Sequence, residues 1–279
     1  MKVVDGKAIA AKLRAELKAQ VEKFPMKIGL SVVIVGNDPA SKIYVRNKIK
    51  ACEEIGIQSS VYELEETTTQ EKLEALLVKL GNDKNTHGIL LQLPLPQGFD
   101  AESATSKIPA HKDVDGFSAV DLGYLALNNP RFVACTPLGI MKLLEYEGID
   151  LTGKHAVVLG RSDTVGKPMA MLLLNANATV TICHSKTKNL KEICKTADVL
   201  VSAIGKPKAV TEDMVKEGAI VIDVGMNRDE NGKLCGDVDY EAVAKHTSLI
   251  TPVPGGVGPM TITMLLYNTF KAAQSSLKE

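Results

Sequence analysis

Tyr44 and Lys48 are spaced like neighbours on one helix face, setting an aromatic ring beside an ammonium. Such a pair can stack a flat ligand and move a proton, and it equally describes a solvated helix edge. Gln92 stands where the apolar run Gly88 to Leu91 ends and Leu93-Pro94-Leu95-Pro96 stops further strand pairing. It either caps that strand or faces a ligand at the strand's carboxyl end. Asp113 and Asp115 fall in the loop-like segment from Pro109 to Gly116. They read as turn-forming residues or as acceptors for a ligand's hydrogen-bond donors. No further histidines or carboxylates cluster there to complete a calcium or zinc site, so no metal is expected.

A second chemistry is written in Gly160-Arg161-Ser162-Asp163-Thr164-Val165-Gly166-Lys167-Pro168, which follows the apolar run Ala156 to Leu159. A strand, a glycine-containing turn and a helix start can aim backbone N–H groups at a phosphate. Ser162 occupies the place of the second glycine in G-x-G-x-x-G. The next strand ends at Cys183-His184-Ser185-Lys186-Thr187-Lys188, without the acid that would hold a ribose 2′-hydroxyl. Arg161, Ser185 and the nearby lysines suit a 2′-phosphate instead, so NADP is favoured over NAD.

The elements that must carry these residues alternate between strand and helix. Ile9, Leu13, Leu17 and Val21 mark a helix over 7–24 that ends before Pro25. A buried strand follows over 28–35, then a helix over 41–55 stopped by Gly56, with strands at 61–64 and 88–91 around a helix at 71–80. Thr136-Pro137 starts a helix, with Thr136 as its N-cap, that runs to Gly148. A second alternation has strands near 156–159, 179–183, 199–203 and 219–224, with a hairpin at Asn231-Gly232. The segment Thr251 to Pro259 is a rigid Pro/Gly loop, and a last helix spans 260–276. This pattern predicts an α/β protein with mostly parallel sheets.

The chain has 279 residues, more than one hydrophobic core usually supports, so two domains are expected. Its 33 lysines and arginines balance 33 aspartates and glutamates, so no global field points to nucleic acid or an anionic membrane. The five cysteines form no C-x-x-C pair, which suits a reducing compartment. With no signal-like apolar stretch at the N-terminus and no spanning run, the expectation is a cytoplasmic protein that uses neither membrane nor nucleic acid.

Six motifs occur in a familiar order: Tyr44-x-x-x-Lys48, Gln92 to Pro96, Asp113-Val114-Asp115-Gly116, Thr136-Pro137-x-Gly139, the Gly160 turn, and Pro254-Gly255-Gly256-Val257-Gly258-Pro259-Met260-Thr261. Over nearly the whole length the chain resembles the bifunctional methylenetetrahydrofolate dehydrogenase/methenyltetrahydrofolate cyclohydrolase family. The resemblance implies an oxidoreductase and hydrolase of one-carbon metabolism, supporting purine biosynthesis. It would oxidise 5,10-methylenetetrahydrofolate with NADP and hydrolyse the methenyl product to 10-formyltetrahydrofolate.

The resemblance further implies a folate-binding catalytic domain, 1–121 with the helix 260–279, and a Rossmann-type NADP domain, 122–259. The active site would be a cleft between them, and the enzyme a homodimer. Lys48 would be the acid/base group, Gln92 its hydrogen-bond partner, Tyr44 a stacking surface and Asp115 a pterin ligand. Pro254, Gly255, Gly258 and Thr261 would shape the folate side. Gly160, Arg161, Ser162, Gly166, Ser185 and the backbone at Met226 would hold NADP. Asp163 and Thr164 depart from the asparagine and aliphatic residue often found in this turn, and Met226 from isoleucine.

On fold alone, a two-domain amino-acid or shikimate-type dehydrogenase shares the architecture. A short-chain dehydrogenase, which also uses Tyr-x-x-x-Lys, is excluded by chain order, since that pair there follows the nucleotide turn.

Overall fold

In the computed structural model, which describes residues 1–277, the chain opens with β1 (Lys2–Val3), α1 (Gly6–Val21), β2 (Gly29–Val35), α2 (Pro39–Ile55), β3 (Gln58–Leu64) and α3 (Gln70–Asn82). It continues through β4 (Gly88–Leu91), α4 (Ala101–Ser106), α5 (Ala119–Ala126), α6 (Cys135–Tyr146), β5 (His155–Leu159) and α7 (Gly166–Asn175). Then come β6 (Thr179–Cys183), α8 (Leu190–Cys194), β7 (Val199–Ser202), β8 (Ala219–Asp223), the short strands β9 (Asn227–Arg228) and β10 (Leu234–Cys235), α9 (Tyr240–Val243), β11 (Thr247–Ile250) and α10 (Val257–Ser276).

Two compact units result. The first comprises Lys12–Cys135 and the residues from Ile262 on; the second comprises Met1–Ala11 and Thr136–Thr261. This differs from a boundary at 121/122 with all of 1–121 on one side. The N-terminus groups with the second unit because β1 pairs in parallel with β11 and the Val4 N–H donates to the Ile250 carbonyl. Residues 122–135 group with the first. There the Phe132 N–H reaches Asp121, and Asn268 and Lys271 of α10 donate to the carbonyls of Val133 and Arg131.

In the first unit, β2 lies between β3 and β4, and all three strands are parallel. The run Leu-Ser-Val-Val-Ile-Val is buried throughout because helices cover a parallel sheet on both faces. Leu73, Leu77 and Leu80 of α3 pack with Val33, Val35, Ile89 and Leu91. Burying one such side chain fully stabilises by about 1.5–3 kcal/mol. β3, an edge strand, starts earlier than its apolar residues indicated, since seven of its residues pair with β2.

The second unit holds a six-stranded sheet in the order β1, β11, β8, β7, β5, β6, parallel throughout. Successive strands leave β5 on opposite sides, β6 to one and β7 to the other. The carboxyl end of β5 is therefore the switch point where an open α/β sheet offers a ligand crevice. The hairpin at Asn231-Gly232 is present as β9 and β10, with the Asp229 carboxylate accepting from the N–H groups of Asn231 and Lys233 at 2.9 Å.

Two helix starts differ from expectation. Helix α6 begins at Cys135, so Thr136 lies inside the first turn instead of capping it; its hydroxyl shares a 2.9 Å hydrogen bond with that of Thr261. Helix α10 begins at Val257, three residues early, because Gly258 and Pro259 fit a first turn whose N–H groups have no helical partner in any case.

Candidate active site

Helix α2 presents Tyr44 and Lys48 one turn apart. Its start is set by Asp38, whose carboxylate accepts from the Ser41 N–H at 2.7 Å, and by Pro39 in the first turn; its end is set by Gly56 at φ +86°. Ser41, Val45, Cys52 and Ile55 form the adjoining buried stripe. Lys48 is left half-buried and Tyr44 exposed. Gln92 extends the β4 ladder through its N–H to the Val33 carbonyl, and its side chain is buried. Its Nε2 donates to the Leu93 carbonyl at 2.6 Å, which turns Oε1 toward Lys48, whose Nζ donates to it at 3.0 Å. The side chain thus meets the lysine and does not cap its own strand.

Asp113 and Asp115 sit differently in their loop. Asp113 accepts from the N–H groups of Gly116 at 3.2 Å and Ser118 at 2.5 Å, and burial, reinforced by the Asp115 charge, pushes its pKa up to about 6. It holds the turn. Asp115 is half-buried; burial raises its pKa, while the Lys48 ammonium pulls it back down. Gly116, at φ +77°, brings the loop so close to the segment before α6 that a Cβ there would lie 2.6 Å from the Ala134 nitrogen.

Two residues of this site were not singled out from the sequence. Cys135 is buried, its thiol pKa pushed well up by burial and by Asp115, so it stays a neutral donor, 3.3 Å from the Val114 carbonyl. Asn268, on the apolar stripe of α10, donates to the carbonyls of Val114 at 2.9 Å and Val133 at 3.0 Å. The available signal was an amide on an otherwise apolar helix face, buried to 2% exposure.

In the second unit the Gly160 turn is built by close backbone approach. Gly160 has φ +120°, and a Cβ on it would sit 2.3 Å from the Ala203 carbonyl oxygen; a Cβ on Gly166 would sit 2.3 Å from the Gly160 oxygen. Ser162 replaces a glycine yet fits, because its hydroxyl accepts from the N–H groups of Val165 at 3.2 Å and Gly166 at 3.3 Å, closing the turn onto α7. Asp163 forms an ion pair with Lys167, so its charge is not left alone beside the turn. Arg161 is exposed. Ser185, also exposed, rides on a tight turn beyond β6, where the His184 N–H donates to the Thr187 hydroxyl and the Thr187 N–H to the His184 carbonyl.

The Pro254-Gly255 loop belongs to this same unit. A Cβ on Gly6 would lie 1.9 Å from the Gly256 oxygen, so the start of α1 seats directly on its backbone, and Gly255 takes φ +109°. A Cβ on Gly258 would reach the Met226 sulfur at 4.0 Å, which brings these two predicted residues together. Beneath them lie Asp223 and Asp237, buried to 3% and 0% exposure and absent from the sequence reading. Asp223 accepts from the N–H groups of Gly225, Asp237 and Val238, with its pKa pushed up to about 6 by burial. Asp237 accepts from Ser202, Ile204, Gly205, Lys206 and Asn227.

The structure therefore gathers Lys48, Gln92 and Asp115 in the first unit, with Tyr44 one turn from Lys48. In the second it gathers Gly160, Arg161, Ser162 and Gly166 in one turn, Ser185 beyond the adjacent strand, and Pro254, Gly255, Gly258, Thr261 and Met226 around one loop.

Comparison with known proteins bears on both sets. A family model for the tetrahydrofolate dehydrogenase/cyclohydrolase catalytic domain matches residues 4–115, and one for the NAD(P)-binding domain of the same family matches residues 134–277. The Bifunctional protein FolD of Acetivibrio thermocellus is 56% identical over 280 residues, covering 99% of this chain and 98% of that protein. The crystal structure of the Campylobacter jejuni FolD methylenetetrahydrofolate dehydrogenase/cyclohydrolase is 51% identical, with a TM-score of 0.95 and 99% of both chains covered. The Trypanosoma brucei enzyme, solved with NADP cofactor and an inhibitor, is 40% identical with a TM-score of 0.95, over 99% of this chain and 98% of that one. With both of its parts matched by that family's models and its full length matched by such relatives, the chain belongs to the tetrahydrofolate dehydrogenase/cyclohydrolase family.

Proposed function

We propose that the chain is a bifunctional enzyme that oxidises 5,10-methylenetetrahydrofolate to the 5,10-methenyl cation with NADP and hydrolyses that cation to 10-formyltetrahydrofolate. The observation that carries this reading is the 3.0 Å hydrogen bond from Lys48 Nζ to Gln92 Oε1, beside Asp115. In hydrolysis, water adds to the amidinium-like carbon and loses a proton. The resulting hydroxyl then gives up its own proton to become the formyl carbonyl as the bond to N5 breaks and N5 gains one, so the formyl group stays on N10 and one proton is released overall. Lys48 serves both proton transfers. Gln92 fixes the direction of the ammonium. Asp115 receives hydrogen bonds from the pterin, and Tyr44 stacks on the folate.

The Gly160 turn fits a dinucleotide. Its two glycines sit where a Cβ would collide with backbone, its helix N-terminus follows directly, and Arg161 and Ser185 are exposed to receive a 2′-phosphate. NADP supplies the hydride acceptor when bound. Asp163 does not oppose phosphate, because Lys167 pairs with it. Pro254, Gly255, Gly258 and Thr261 shape the folate side, and the backbone at Met226 meets the nicotinamide end.

No helix among the described residues is long and apolar enough to cross a membrane. A cytoplasmic homodimer joined through the nucleotide unit is part of the same reading, and sedimentation of the purified chain tests it. The activity test is direct: the chain should reduce NADP with methylenetetrahydrofolate and then discharge the near-ultraviolet absorbance of the methenyl cation. Turnover of shikimate or an amino acid instead would overturn the reading.

A further inference from the structure

We propose that the buried carboxylates Asp223 and Asp237 are positioning residues for the dehydrogenase step: they lock the segment Val224–Asn227, and with it Met226, at the carboxyl ends of β7 and β8. The inference rests on the reading above that this segment meets the nicotinamide end.

The two carboxylates are held by loop N–H groups and by the side chains of Ser202 and Asn227, not by strand-ladder bonds. Asp237 Oδ2 accepts from the Ser202 hydroxyl at 3.2 Å and from the N–H groups of Ile204 at 2.8 Å and Gly205 at 3.2 Å. Its Oδ1 accepts from the Lys206 N–H and the Asn227 amide, both at 2.9 Å. Asp223 Oδ1 accepts from the N–H groups of Gly225 and Asp237 at 2.9 Å, and its Oδ2 from the Val238 N–H at 3.0 Å. The Asp223 N–H in turn donates to the Thr251 hydroxyl at 2.8 Å, at the entrance to the Pro254-Gly255 loop.

Met226 lies between two of these tethers, the Gly225 N–H and the Asn227 amide, and is itself 46% exposed. There is no slack around them. A Cβ on Gly225 would lie 2.3 Å from the Asp237 nitrogen, and one on Gly236 would lie 1.8 Å from Asp223 Oδ2. Two glycines and two carboxylates thus interlock to set the height of one exposed residue. Hydride transfer depends on such placement, since a shift of about 1 Å can cost about 10²-fold in rate.

Asp237 must be a carboxylate. Five donors converge on Asp237, and an amide offers a single acceptor oxygen, so in Asp237→Asn two or three donors would face an NH2 group. The proton-transfer pair assigned to hydrolysis, Lys48 and Gln92, lies in the other unit, while the folate-side loop at Pro254-Gly255 lies in this one, so the second activity of the same molecule reports whether the variant still folds and binds folate.

The test uses the full chain. In Asp237→Asn, dehydrogenase kcat at saturating NADP should fall by about 10–10²-fold while cyclohydrolase kcat stays within about twofold, and the amides of 225–227 should exchange faster with deuterated water. Asn227→Ala removes one tether only and should shift the ratio of the two activities the same way, more mildly; it decides the matter if Asp237→Asn does not fold. An unchanged activity ratio in both variants, or unchanged exchange at 225–227, would overturn the proposal. If the wild-type chain reduces no NADP with methylenetetrahydrofolate, the activity reading fails, and the exchange measurement still decides whether these carboxylates hold the segment.

Discussion

The Lys48 site and the Gly160 turn solve their tasks with different parts of the chain. At the first, side-chain atoms meet one another, Lys48 Nζ on Gln92 Oε1 with Asp115 nearby, while the backbone beneath is ordinary helix and parallel strand. At the second, backbone approaches backbone, and side chains act as fasteners: Ser162 closes the turn and Lys167 neutralises Asp163. The difference sets what each can tolerate. A side-chain site loses chemistry without losing its frame, whereas a backbone site fails once a Cβ intrudes.

The sharpest test of that contrast is Lys48→Met, which should lower cyclohydrolase activity by about 10²–10⁴-fold. The thermal midpoint should stay near that of the wild type, because only one hydrogen bond at a half-buried position is lost. Hydrolysis at the wild-type rate would remove Lys48 from the chemistry. Next in size, Arg161→Ala should raise KM for NADP by about tenfold or more, on the basis of about 1.5–3 kcal/mol for hydrogen bonds to a charged group, and leave KM for NAD and the hydrolysis rate unchanged. Equal effects on the two cofactors would show that the guanidinium does not read the 2′-phosphate.

Asn268→Ala probes the frame under the side-chain site. It removes the amide donor from the buried Val133 carbonyl and leaves the Val114 carbonyl with only the Cys135 thiol, which should cost about 1–3 kcal/mol, seen as a lower urea midpoint, with weaker folate binding through a loosened Asp115 loop. An unchanged midpoint would mean that Asn268 does not hold the loop. The smallest effect belongs to Asp163→Asn. The pair with Lys167 is exposed and screened, so NADP affinity should change by less than about twofold. A large gain in affinity would mean that the carboxylate faces the phosphates after all.

Much of the frame was legible because its signals are local. The apolar run of β2, the Gly56 stop after α2, the strand before Gly160 and the Asn231-Gly232 hairpin follow from residue type and spacing. Strands β1 and β11 were not legible. They are short and have no alternation of their own: β11 is held by β8 on one side, and β1 by β11 on the other. Thr136 was misplaced for a similar reason: its best local use is as a cap, and Thr261, 125 positions away, offers its hydroxyl a different partner. Asp163 was unexplained in the linear motif and is explained by a neighbour one helical turn on.

The linear sequence by itself determined the α/β class, the two ligand-facing chemistries and, through six ordered motifs, the family. Residue type and local spacing are enough to specify strands, caps, turns and the groups that can move a proton or meet a phosphate. Only the tertiary structure decided which donors each carboxylate meets and so which of them hold loops. Asp113, Asp115, Asp223 and Asp237 look alike in sequence, and their roles are set by the donors that folding brings to them from distant residues. A buried carboxylate is stable only where such donors converge, and that convergence is a property of the packed chain.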